Sequence, residues 1–456
     1  MVTTPGRKLP FKKILLVLAV LLVVSVLGFG VYRFVLPMLG IGGGGGSSST
    51  REVTLTWWGL WENQSVVAPL ISEYQQKNPN VKVNYVLQAK EDYRERLTNA
   101  LARGQGPDIF RFHNTWVPMF RQELSPVPAN VISPSEFAQA YYPAASVDLA
   151  SGAGFVGIPL EFDALGLYIN EEIFSTQGKE APTTWDDLRQ TAKELTIKDE
   201  NGLIRQAGAA LGRTENVDHW PEILGLMMLQ NRVKMTNPTG ELAEDALDFY
   251  SVFASVDGVW DETLPPSTVA FANGKLAMYL GPSWRAHEIA QINPALKFKV
   301  FPVPQLPKLS PSEGDIAYAS YWVEGVWTRS ANKEAAWDFL KFISSKESLQ
   351  KLYQNAAQVR GFGEPYPRVD MQSLILSDPK VGAFVAQGPS AQSWYLQSRT
   401  FDGPTGINSQ INSYFEDAVN AVNSGQKAAI VLATVAEGIN QVLSNYGLTS
   451  PAVPSR

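Results

Sequence analysis

The chain has no cysteine and only three histidines in 456 residues. The first absence excludes disulfides, thiol nucleophiles, thiolate metal sites and lipid attachment through a cysteine. The second leaves little for an imidazole metal centre: His113, His219 and His287 lie far apart and none is in His-x-x-x-His spacing, so no metal is expected. A phosphate loop and a Gly-x-Ser-x-Gly elbow are also missing, and no cofactor is expected. Acidic side chains are absent from residues 1–50, which hold Arg7, Lys8, Lys12, Lys13 and Arg33. The rest of the chain keeps 33 of the 38 basic and all 44 acidic groups, a net of −11. Such an acidic body argues against a nucleic-acid partner, whose phosphates are bound mainly by Lys and Arg.

What is present is a globular composition, 45% hydrophobic and 18% charged, with twelve tryptophans. At roughly 100–200 residues per domain the length allows two substantial cores. Ile14 to Tyr32 is a run of 19 uncharged residues, mostly Leu and Val. A helix of that length spans a hydrocarbon core, and it exceeds the apolar region of a cleaved signal peptide. The expected division is therefore a cytoplasmic stub at 1–13, a transmembrane helix at 14–36 and a linker at 37–50 that carries the tether Gly42–Thr50. Lys8, Lys12 and Lys13 keep the N-terminus cytoplasmic and place the body outside the membrane.

Beyond the linker, Val53, Leu55 and Trp57 alternate as in a strand, and Val66, Val67, Leu70, Ile71 and Tyr74 recur at helical spacing with Ser65 as a candidate cap. Val81, Val83 and Tyr85 predict a second strand. Tyr93, Leu97, Ala100 and Leu101 predict a second helix, and Asp108–Phe112 a third strand. This βαβαβ order implies a parallel sheet with its ligand crevice beyond the carboxyl ends of the strands. The rule selects Trp58, Trp61 and Glu62 after the first strand, and His113 and Asn114 after the third. Asn201-Gly202 predicts a hairpin turn rather than a calcium loop.

Four blocks resemble the family-1 extracellular solute-binding proteins of ABC importers: Thr54–Trp58 with Tyr74–Val83; Leu101–Ile109; Gly157–Leu160 continuing to Pro182–Leu188; and Phe271–Met278 with Gly281–Trp284. The resemblance covers residues 53–343 and is looser after that. It implies an α/β fold of two lobes joined by a multi-strand hinge, the solute held between them and handed to permease subunits. The implied boundaries are 51–160 plus 280–330 for the N-terminal lobe and 161–279 plus 331–456 for the C-terminal lobe, with Ala335, Ala336, Phe339, Leu340 and Ile343 on the helix after the last crossing. By family position Trp61, Glu62, Asp163, Trp284 and Trp394 become candidate ligand contacts, and Tyr321, Trp322 and Arg360 join them near the later crossing. Aromatic faces with carboxylates and amides suit a carbohydrate, and so few basic candidates favour a neutral one.

The expectation is a monomeric, membrane-anchored binding protein that captures a carbohydrate, probed against two rivals. A surface sensor or adhesin would use the same fold without a transporter. An enzyme would use Glu161 and Asp163, which on one strand face lie about 7 Å apart, within the range of glycosidase carboxylates. No other catalytic motif supports that second rival.

Overall fold

The computed structural model describes residues 52–448, except 153, 309 and 311, together with Ser25. Apart from Ser25, the expected stub, membrane span and linker lie outside the described residues. Among the described residues no helix is long and apolar enough to cross a membrane.

Strand β1 (Val53–Gly59) buries Leu55, Trp57 and Gly59, as its alternation predicts. Helix α1 (Gln64–Lys77) buries the expected stripe from Val66 to Tyr74, but it starts after Asn63, so Ser65 lies in the first turn and not at the cap. β2 (Val81–Leu87) runs parallel to β1 from Val53↔Val81 to Gly59↔Leu87. Helix α2 (Tyr93–Ala102) buries Tyr93, Leu97 and Leu101, and Gly104, at φ +73°, turns the chain towards β3. β3 (Ile109–His113) lies parallel to β1 on its other side and is buried throughout. β4 (Ile158–Pro159) is the last piece of this side before residues 160–165 cross to a second sheet.

The second sheet begins with β5 (Gly166–Asn170). Helix α3 (Trp185–Leu195) starts at Thr184, whose hydroxyl oxygen accepts the Asp187 N–H, and it buries Trp185, Leu188, Ala192 and Leu195. β6 (Ile197–Lys198) and β7 (Ile204–Ala209) form the expected hairpin, with Gly202 at φ +80° in its turn. There follow α4 (Trp220–Gln230), α5 (Glu241–Ser255), α6 (Ser267–Ala272), β8 (Leu276–Gly281), α7 (Arg285–Ile292) and β9 (Phe298–Phe301). The strand order is β9-β5-β8-β7-β6.

Residues 302–321 return, and β10 (Trp322–Val326) inserts between β3 and β4, antiparallel to both. The first sheet is thus β2-β1-β3-β10-β4. Helices α8 (Lys333–Ile343) and α9 (Lys346–Arg360) follow, and a third crossing leads to α10 (Ile407–Asn423) and α11 (Ala428–Asn445), which pack on α5.

Two assignments in the expected lobe boundaries change. α8 and α9 were placed with the C-terminal lobe, yet Phe339 packs on Trp57 at 5.5 Å, Tyr74 donates to Asp338 at 2.8 Å and Lys351 pairs with Glu73 at 2.6 Å. The short connection after β10 drops the chain onto the face of the sheet that β10 has just joined. Conversely β8 and β9 bond to β5, so from residues 280–301 the chain stays with the second sheet.

Candidate functional site

Where the crossings run side by side, a cavity of about 540 Å³ opens between the two sheets. Ala164 bridges Ala319, Asp163 carbonyl oxygen accepts the Ser320 N–H at 3.0 Å, and Ala317–Tyr318 pairs with Ala391–Gln392, so all three crossings touch here. The lining includes seven of the candidate residues: Trp61, His113, Asp163, Trp284, Tyr321, Trp322 and Arg360.

Aromatic rings form one wall. Trp322 meets His113 edge-on at 5.1 Å, Trp116 at 5.4 Å and Trp61 at 5.8 Å. Trp61 has φ +69° and also packs on Phe401, itself at φ +52°, at 5.6 Å. Across the cavity Trp284 stands at the start of α7, with the Arg285 guanidinium over its ring at 4.4 Å and His219 against it at 5.7 Å.

Polar groups hold these rings in place. Asp163 accepts from the Ser283 N–H at 3.0 Å, the Ser283 hydroxyl at 2.9 Å and the Ala164 N–H at 2.8 Å, tying the first crossing to the turn that carries Trp284. His113 bonds Thr115 at 2.8 Å and Ser320 at 3.1 Å, and the Tyr321 hydroxyl donates to Asp148 at 2.8 Å. Arg360 bridges Glu62 at 2.8 Å and Glu364 at 2.9 Å. Glu62, Glu161 and Glu364 approach closely enough to share an ion, but the Arg360 guanidinium already bridges two of them.

Four candidates do not line the cavity. Trp58 projects opposite to Trp57 on the pleat and is half-buried against the core. Glu62 is buried in the Arg360 cluster beside a much smaller void. Asn114 points to Asp148, donating at 2.9 Å, and its side-chain oxygen accepts the Tyr321 N–H at 3.3 Å. Trp394 packs on Tyr395, and its carbonyl accepts from the Tyr318 hydroxyl at 3.2 Å.

The cavity also holds residues that sequence reasoning missed, among them His219, Glu222, Ser398, Arg399 and Phe401. One of them carried a readable signal. Glu222 is an acid inside the otherwise apolar run Trp220–Leu229 of a buried helix, where an ionisable group needs a partner or a purpose.

Titration here has two opposing limbs. Burial pushes Asp163 up to about 8, and it also raises Glu161 and Asp148. These groups favour folding in their protonated form, a contribution complete below the ordinary carboxylate range and lost as pH rises towards 8. Burial lowers His113 to about 3 and His287 to about 4, and it lowers His219, so their contribution is lost as pH falls below about 6.5. Between about pH 4 and 6.5 the limbs oppose; above 6.5 only the carboxylates act. The thermal midpoint is expected to drop by a few degrees from pH 6.5 to 8.5, and Asp163→Asn with Glu161→Gln is expected to flatten that limb. An unchanged slope in the double variant would assign it to other groups.

The sequence model for "Bacterial extracellular solute-binding protein" matches residues 60–350, well over half of the chain. The chain belongs to the bacterial extracellular solute-binding protein family. Among relatives of this solute-binding protein, the maltotriose-binding protein of Pyrococcus abyssi is 20% identical over 354 residues, 75% of this chain and 73% of its own length. The diacetylchitobiose binding protein DasA of Streptomyces coelicolor is 22% identical, over 68% of this chain and 79% of its own. The fold matches the sugar-binding protein MalE of Xanthomonas citri with a TM-score of 0.68, 20% identity and coverage of 86% and 98% of the two chains. An ABC transporter solute-binding protein of Thermotoga lettingae, solved with α-D-tagatose, matches with a TM-score of 0.65, 22% identity and coverage of 86% and 99%. The two-lobed α/β architecture implied by the sequence blocks is therefore the family's own.

Proposed function

We propose that this solute-binding protein captures a neutral carbohydrate in the cavity between its sheets and delivers it to ABC permease subunits without transforming it. The observation that carries the reading is the cavity wall: Trp61, Trp284 and Trp322 surround one space, at the point where three chain segments cross. Aromatic faces suit the C–H side of a pyranose, and the volume falls within the range of small-molecule sites. Relatives named for maltotriose and diacetylchitobiose binding support the ligand class. The cavity guanidiniums support a neutral ligand, because Arg285, Arg360 and Arg399 are each paired with a carboxylate.

Capture works by population shift. Contacts available from both lobes only when they approach favour the closed arrangement, and the three crossings serve as the hinge. We further propose that the apolar run at 14–36 anchors a monomeric body outside the membrane, with the lobe rims free to meet the permease.

The test is a thermal-shift screen of the full chain against mono- and oligosaccharides, sugar phosphates and polyamines. A sugar at a hundred times its Kd is expected to stabilise the fold by about 2.7 kcal/mol. A response to phosphate esters or polyamines alone would replace the carbohydrate reading, and release of altered sugar would replace binding with catalysis.

A further inference from the structure

The end of the cavity beside Trp284 is built from buried charged groups on α4 and α7. Glu222 lies on the first turn of α4 and is only 3% exposed. Its Oε1 accepts from the Ser398 N–H at 2.7 Å and the Ser398 hydroxyl at 2.9 Å. Its Oε2 has no hydrogen-bond partner, and the nearest nitrogen that can carry charge, His219 Nδ1, is 3.8 Å away. His219 is itself buried, and burial keeps its imidazole neutral. A buried carboxylate oxygen without a donor is costly, and a cavity that ends on one is completed by a ligand that brings the donor.

A donor waits on the other side of the same imidazole. Arg285 is also 3% exposed; its Nε donates to His219 Nε2 at 2.9 Å and its Nη1 to Glu288. Its Nη2 is 3.4 Å from Asp218 Oδ1 but makes no hydrogen bond. One unpaired acceptor and one unpaired donor therefore flank His219, beside an aromatic ring. Two neighbouring hydroxyls of a sugar match that pattern, since one can donate while the oxygen of the other accepts.

We propose that Glu222 and Arg285 form a specificity subsite for a vicinal diol on the terminal residue of the bound sugar, and that this end of the cavity rejects anionic sugars. The rejection follows from charge. The guanidinium here is already paired with Asp218 and Glu288, so a carboxylate or phosphate entering would meet Glu222 without a free cation. Lys90 also lines the cavity, its ammonium over the Phe401 ring at 5.6 Å beside Trp61. The proposal rests on the carbohydrate reading and narrows it.

The experiment takes the full chain and a probe panel of maltotriose, mannobiose, N,N′-diacetylchitobiose and tagatose. For the tightest binder, Kd is measured by calorimetry on wild type and Glu222→Gln, together with its monodeoxy analogues and its uronic acid counterpart. Loss of either of two adjacent hydroxyls is expected to raise the wild-type Kd about tenfold or more. Glu222→Gln is expected to raise the Kd of the parent sugar about as much, and to leave little further loss for the analogue that lacks the donated hydroxyl. The uronic acid is expected to bind wild type at least tenfold more weakly than the neutral sugar.

Equal Kd values for wild type and Glu222→Gln overturn the subsite while leaving carbohydrate capture intact, as do fully additive losses or a uronic acid bound as tightly as its parent. No binding by any panel sugar to wild type overturns both readings. If Glu222→Gln does not fold, the analogue series on wild type decides alone: no adjacent pair of sensitive hydroxyls overturns the proposal.

Discussion

Arg111→Met is expected to cost about 3–5 kcal/mol of unfolding free energy at neutral pH, measured by chemical denaturation. Arg111 sits on β3, 3% exposed, opposite Glu324 on β10. Its Nε donates to Glu324 Oε1 at 2.7 Å and its Nη1 to the Leu60 carbonyl at 3.1 Å, with Glu161 3.9 Å away. Glu324 takes a further bond from the Trp57 indole at 2.9 Å. Removing the guanidinium leaves Glu324 buried with one neutral donor, the Trp57 indole, which is the expensive way to break a buried pair. The double variant Arg111→Met with Glu324→Leu is expected to recover most of the loss, because an apolar pair of similar volume is often no worse than a buried ion pair. A loss below about 1 kcal/mol for the single variant would mean that water or a shifted side chain already compensates the pair.

Trp284→Ala is expected to weaken the sugar found by thermal shift by about 2–3 kcal/mol, or roughly 30- to 150-fold in Kd. The ring lines the cavity, one face is covered by Arg285, and Asp163 fixes the turn that presents it through Ser283. Trp284→Phe is expected to keep part of the affinity, since a smaller aromatic face remains. Trp394→Ala is the contrast. Its ring packs beside Tyr395 outside the cavity lining, so stability is expected to fall while Kd stays within about twofold. Calorimetric titration of the three variants checks the pattern. A Trp394→Ala loss as large as that of Trp284→Ala would mean that lobe closure brings Trp394 to the ligand.

Local periodicity carried most of the elements. The α1 stripe and the α3 face are buried as their spacing predicts, because 3.6- and 2-residue periods are set by chain geometry alone. Partnership over long separations was not legible. Nothing near Trp322 says that β10 will pair with β3 two hundred residues earlier, and the helices that follow it were therefore assigned to the wrong side. In the site, aromatic identity located the wall, but backbone direction decided which rings face the cavity: the pleat of β1 turns Trp58 away, while Trp61, past the strand end at φ +69°, lines it. Arg399 and Phe401 lie in an irregular segment at positive φ, where no period exists to announce them. Glu222 alone stood out against its surroundings, as an acid on an apolar helix.

The late insertion of β10 sets an order of events during synthesis. β1 to β3 emerge early, yet Trp57 and Arg111 find Glu324 only after residue 324, and Phe339 packs on Trp57 later still. At about 5–20 residues per second, the interval from the end of β3 to the end of α9 lasts roughly 10–50 s. For that time the half-built sheet presents an open β3 edge and a buried-to-be arginine to whatever surrounds the ribosome. The first lobe is thus completed late in synthesis: its nascent chain stays without its fifth strand and two covering helices until most of the polypeptide has been made.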